Sequence, residues 1–313
     1  MQKKSVANAW LAALCLSFIS LPALSKEAFV VDASMVEEAV DASLVEDIGA
    51  QERINLSGKL RMLSQRIASS ACHFWEGVDV EATSAMMLSS TEEFDKILTA
   101  LEFGNEEMNI IGSEKRRKTL FKIEKVKEQW APIKAAVLHL AEHPDAEADL
   151  IVIQKQNLEL LKRSASLVSE LVGQYSNPAE MVQADSMVID IAGRQRMLIQ
   201  KMSKESCLMA SHHENEDTRE NLKGTMNLFE VTLNALTSGM PAAGVKPPPT
   251  SEIASGLELV NREWEEVKPM LEVILSGAEV DHDFEADKFH KLNELMSDMN
   301  KVVGMYARYA KKD

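Results

Sequence analysis

One stretch of this chain occurs twice. Ile54 to Cys72, INLSGKLRMLSQRIASSAC, returns as Ile189 to Cys207, IDIAGRQRMLIQKMSKESC, at a constant shift of 135 residues. Gly58/Gly193, Arg61/Arg196, Met62/Met197, Leu63/Leu198, Gln65/Gln200 and Cys72/Cys207 match without a gap. A duplication constrains a fold more than any local propensity, because both copies must solve the same packing problem. The flanks repeat as well. Phe94-x3-Leu98-x-Ala100-Leu101-x2-Gly104 becomes Phe229-x3-Leu233-x-Ala235-Leu236-x2-Gly239 at the same shift, and Trp264 stands against Trp130 at a shift of 134. The repeated unit is therefore larger than the motif, and the motif opens it.

The spacing of apolar residues is helical throughout. After the motif helix, which ends at Trp75-Glu76-Gly77, helices are expected over about 80–103, 114–142 and 146–176. The second set runs over about 179–213, 216–237, 251–276 and 283–310. Val36, Val40, Leu44 and Ile48 predict an amphipathic helix over 27–53 leading into the first motif. Ser113 is the expected N-cap of the third helix, Pro132 a candidate kink, and Asn177-Pro178 a stop. Residues 239–250, GMPAAGVKPPPT, form the one clear Pro/Gly-rich loop. No stretch reads as a strand. With 13 Gly, 9 Pro and 17 Met in 313 residues, the composition suits long helices. The expected fold is all-α: two tandem up-down-up-down four-helix bundles, 26–177 and 178–313.

Residues 1–25 read as a cleaved signal peptide. Lys3 and Lys4 form the charged region, Ala7 to Leu24 is apolar, and Ala23-Leu24-Ser25 places small residues before a cut at Lys26. Retained, the same segment would be a marginal anchor. The expected product is periplasmic. Losing the two lysines takes the formal charge from −15 to −17. Such a chain lacks the basic footprint of a nucleic-acid binder. Cys72 and Cys207 are the cysteines left, in a compartment where disulfides persist.

The motif helix has two faces. Leu56, Leu60, Leu63, Ile67 and Phe74 form a core stripe. Ile54, Gly58, Arg61, Gln65, Ala68 and Cys72 form another, copied as Ile189, Gly193, Arg196, Gln200, Ser203 and Cys207. In an up-down-up-down unit the fourth helix ends beside the start of the first, so the two motif helices run roughly parallel and their second faces can meet. Arg61 would then face Arg196 across a partly dry seam. Each arginine either snorkels or finds a carboxylate, or both share a small planar anion that relieves their repulsion. Small residues and glycine on that face allow close helix approach or ligand access. Cys72 and Cys207 can bond if their Cα atoms come to about 5.5–6 Å; otherwise they are two small buried residues.

Ile54-Asn55-Leu56-Ser57-Gly58-Lys59-Leu60-Arg61-Met62-Leu63-Ser64-Gln65-Arg66, and its copy Ile189 to Lys201, resemble the signature I-N-x-A-G-x-x-R-M-L-S-Q-R. That signature belongs to the sensor domain of NarX-type nitrate/nitrite sensor kinases and, more closely, to the PilJ-type domain of type IV pili chemotaxis transducers. The resemblance implies a nitrate or nitrite held between motif helices. Gly58, Arg61, Gln65 and Arg66 would serve on one side and Gly193, Arg196, Gln200 and Lys201 on the other, one chain acting as its own pseudodimer. Two positions depart from the pattern: Lys201 replaces an arginine, and Asp190 stands where Asn55 stands.

His212-His213-Glu214 and Asp281-His282-Asp283 with Asp287 and His290 are weak metal candidates at helix ends. No residues form a catalytic constellation, and no cofactor motif is present. The expected function is an exported, non-enzymatic, monomeric sensor that binds a small oxyanion and reports it to a membrane-bound sensor kinase or chemoreceptor. The alternative is a ligand-free interaction module of a chemosensory or pilus-related system, its motif face packed on a receptor or another copy.

Overall fold

The computed structural model describes residues 49–175 and 183–309. The signal segment, most of the 27–53 helix and Asn177-Pro178 lie outside the described residues. Eight α-helices occupy those described: α1 Ala50–Trp75, α2 Val80–Phe103, α3 Arg117–Glu142, α4 Glu147–Tyr175, α5 Gln183–Ala210, α6 Thr218–Ser238, α7 Ser251–Ser276 and α8 His282–Tyr309. No strand occurs among them, only two isolated bridges, Asn105–Ile110 and Met240–Val245, related by the repeat shift.

The two helix sets build matching cores. Phe94 lies 4.4 Å from the Trp130 ring, and Phe229 lies 4.7 Å from Trp264. Each indole donates to the acid that follows its phenylalanine, Trp130 to Asp95 and Trp264 to Glu230. Each acid also binds a lysine one turn past the tryptophan, Lys134 or Lys268. The aromatic pair supplies apolar burial of about 1.5–3 kcal/mol per ring, and the acid satisfies the indole that burial would otherwise orphan. Leu101, Val126 and Leu167 extend the first core; Leu236, Val260 and Met299 extend the second.

The turns repeat too. Gly104 and Gly239 end α2 and α6 at φ +86° and +78°. A Cβ on Gly104 would lie 2.7 Å from the Gly112 carbonyl oxygen, so this crossing admits only glycine. Asp79 and Thr250 cap α2 and α7 through Ala82 and Ile253 amides. Ser113 does not cap α3. The Glu114 carboxylate does the equivalent work just upstream, accepting from the Lys115 and Arg116 amides. A carboxylate satisfies two donors at once and suits the positive end of the helix. Pro132 and Pro269 sit inside α3 and α7, and both helices run on through them.

Helices α1 and α5 join the two sets. Contacts across them rise together along both helices, from Arg61–Asp190 through Ser69–Ser203 to Cys72–Cys207. The helices are therefore parallel. Each still packs on its own neighbours, α1 on α2 and α4, α5 on α6 and α8.

Candidate functional site

The α1–α5 seam contains the second motif face in both copies. At its C-terminal end Cys72 and Cys207 form a disulfide, Cα–Cα 6.3 Å. Ser69 Oγ donates to Ser203 Oγ at 2.7 Å. Lys204, 4% exposed, donates to Gln65 Oε1 and Asn157 Oδ1, both at 3.1 Å. Burial brings its ammonium down to about 8, with Glu205 opposing and Lys201 adding to the shift. Asn157 in turn donates to the Ser64 carbonyl. Lys204 stands at the position of Ser69 in the repeat, and both reach across the seam, Ser69 to Ser203 and Lys204 to Gln65. Sequence reading missed it because a lysine near a helix end reads as surface.

Higher up, three guanidiniums gather. Arg61 is 7% exposed and Arg196 is 4% exposed; Arg66 is partly buried. Arg61 Nη2 donates to Asp190 Oδ1 at 3.0 Å across the seam, and Asp190 is shared with Arg194. The departure at position 190 thus supplies the carboxylate that Asn55 cannot. Arg196 has no ion pair among the described residues. Its Nη1 donates to Asn300 Oδ1 at 2.7 Å on α8, and its Nε has no partner. Arg66 reaches from α1 to α8, where its Nη2 meets the Met296 sulfur at 3.1 Å; its Nε is also unpartnered. Met296 and Asn300 are one turn apart on α8, so Arg66 and Arg196 converge on the same strip of that helix. Burial first, then Arg61 and Arg66, holds the Arg196 guanidinium down at about 10, with Glu93 opposing.

Local charge is unbalanced. Among the described residues, Lys59, Arg61, Arg66, Arg194 and Arg196 share two carboxylates, Glu93 (bound to Lys59) and Asp190. Interiors avoid unmatched charge because desolvation costs several kcal/mol per ion.

Among the described residues, the motif glycines lie against arginines of their own helices. A Cβ on Gly58 would meet Arg61 Nη2 at 3.6 Å and one on Gly193 would meet Arg196 Nη2 at 3.7 Å, with no other helix within 4 Å among the described residues. Each glycine is the bed on which its own arginine folds back. Gln65 is engaged by Lys204, and Gln200 donates to Asn293 at 3.2 Å. Lys201 does not join the cluster. It pairs with Glu205 at 2.7 Å and donates to Thr225 on α6.

The histidines hold the α1–α2 turn to the second helix set. His282 donates to the Gly77 carbonyl at 2.9 Å, His290 lies 2.9 Å from Asp79, and His213 lies 3.7 Å from Glu76. Among the described residues no group of three or more His, Cys, Asp or Glu could hold a metal.

Two parallel motif helices, built alike and joined along one face, frame a duplicated module. The family model for the type IV pili methyl-accepting chemotaxis transducer N-terminal domain, PilJ, matches residues 47–154 and again residues 179–301. The chain belongs to the PilJ family. No curated protein matches it. PilJ domains are non-catalytic sensory domains of chemotaxis transducers, typically facing the periplasm or the exterior. Among the described residues of this PilJ chain, no helix is long and apolar enough to cross a membrane.

Proposed function

We propose that this tandem PilJ protein is a periplasmic sensor that binds a small oxyanion, nitrate or nitrite, in the buried guanidinium cluster around Arg196 and reports its occupancy to a membrane-bound chemoreceptor or sensor kinase. The observation that carries this reading is Arg196 itself: 4% exposed, without a carboxylate among the described residues, and flanked by two further guanidiniums. A small planar anion would match the forked donors and supply the missing negative charge.

Cleavage after residue 25 would release the chain into the periplasm, with the two PilJ units spanning 26–177 and 178–313. Their motif faces are spent on each other inside one chain, which supports a monomeric pseudodimer. A docking role for the motif face would require opening this seam.

Isothermal titration of the mature protein with sodium nitrate and sodium nitrite tests the reading. Saturable binding that Arg196→Gln weakens by about tenfold or more is expected. The absence of binding in the wild-type protein overturns it. The chain carries a formal charge of −15, so the anion meets long-range repulsion. Affinity in the micromolar-to-millimolar range is expected, and a nanomolar constant contradicts that expectation.

A further inference from the structure

The two halves of the cluster are not equivalent, although the motif strings are. Arg61 lies against Asp190, on the opposite motif helix. That carboxylate is shared with Arg194 and the Arg61 Nε is unpartnered, as are those of Arg66 and Arg196, but an anion at Arg61 would compete with a carboxylate already in place. Arg66 and Arg196 have no such partner among the described residues. Both turn toward α8, where they meet Met296 and Asn300. Asn300 is exposed, so this side of the cluster reaches solvent. Its Oδ1 accepts from Arg196, which leaves its amide N–H groups available to donate.

We propose that the anion seat lies off the pseudo-two-fold axis: Arg66 of the first motif helix and Arg196 of the second grip a single monoanionic oxyanion, with Asn300 at the mouth, and the Arg61–Asp190 pair braces the seam beside it. This rests on the reading of the cluster as an oxyanion site. It assigns the ligand contacts differently from a symmetric arrangement, in which the two equivalent arginines, Arg61 and Arg196, would share the anion. Two forks and one amide suit a trigonal monoanion. Glu93, held by Lys59 near Arg66 and Arg196, disfavours a dianion.

The test is titration of the full chain with sodium nitrate and sodium nitrite at constant ionic strength in sodium chloride. Arg66→Gln and Arg196→Gln each weaken binding by about tenfold or more, since each removes a charge-assisted contact. Asn300→Ala weakens it by about threefold to tenfold. The charge-neutral double variant Arg61→Gln/Asp190→Asn shifts it by less than about threefold, as for an ion pair beside the site. Arg66→Lys keeps the charge, loses the fork and recovers part of the affinity, which separates ligand contact from a folding defect. If Arg61→Gln/Asp190→Asn abolishes binding while Arg66→Gln leaves it unchanged, the seat is axial and the proposal fails, while the oxyanion reading stands. If the wild-type chain binds neither salt, the oxyanion reading fails and the proposal with it.

Discussion

Set side by side, the two motif helices show how little a repeated string guarantees. Arg61 and Arg196 fold back over Gly58 and Gly193 in the same way. One then finds Asp190, the other only Asn300. Arg66 crosses to the second bundle with a thioether as its neighbour, whereas Lys201, its counterpart, is neutralised by Glu205 within its own helix. Ser69 crosses the seam with a short hydroxyl contact to Ser203, whereas Lys204 in the same register brings a buried charge to Gln65 and Asn157. Backbone and core were copied faithfully, and charge was redistributed. The difference teaches that a pseudo-symmetric scaffold can carry an asymmetric charge cluster.

The strongest way to break the comparison is to untie the halves. Cys72→Ser/Cys207→Ser is expected to lower stability by about 5 kcal/mol, the loop-closure value for so long a separation. Denaturant midpoints with and without reductant would measure it, and a coincident pair of curves would contradict it. Next come the cores. Phe94→Ala and Phe229→Ala should each cost about 3–5 kcal/mol, and by similar amounts, because both rings are fully buried against a tryptophan. A large inequality would show that the two bundles do not share one packing solution.

His73 sharpens the contrast further, since its counterpart, Leu208, cannot titrate. It lies in the interior against Phe289, with Nδ1 donating to the Ser69 carbonyl and Nε2 unpartnered. Burial, helped by Lys288, holds it down to about 3 from an ordinary 6.5. The folded state keeps the ring neutral while the unfolded chain takes up a proton below 6.5. Stability therefore falls as pH drops through 6.5 toward 3, by about 2 kcal/mol between pH 6.5 and 4.5. His73→Leu should flatten that limb in thermal melts taken across the range. The smallest effect is Asp190→Asn. It leaves Arg61 without its carboxylate and should cost about 1–2 kcal/mol, a value reduced by the partial exposure of Asp190. The same change should tighten nitrate binding, because it removes a negative charge from the cluster. Weaker binding would place Asp190 among the groups that hold the anion.

The fold was open to reading because the repeat shift, the apolar periods and the glycine stops all agree, from Gly104 to Gly239. The charge pattern was harder. Asp190 was visible as a departure from Asn55, but its reach to Arg61 depends on the register of two helices distant in sequence. Lys201 and Glu205 stand four residues apart, an ordinary helical ion pair, and that local signal outranks the family pattern. Lys204 and Asn300 could not be singled out, since nothing local separates a seam lysine or a mouth asparagine from solvated ones. Glu114 outcompeted Ser113 because one carboxylate accepts from two amides.

Because both motif helices belong to one covalent chain and are tied again at Cys72–Cys207, dilution cannot separate the halves of the seam. A seat assembled from two separate subunits would empty as its protein became scarce, whatever the ligand level. Here each half sees the other at a fixed, high local concentration. On the proposed reading, the set point of the seat is a property of one molecule, independent of how many copies a cell makes.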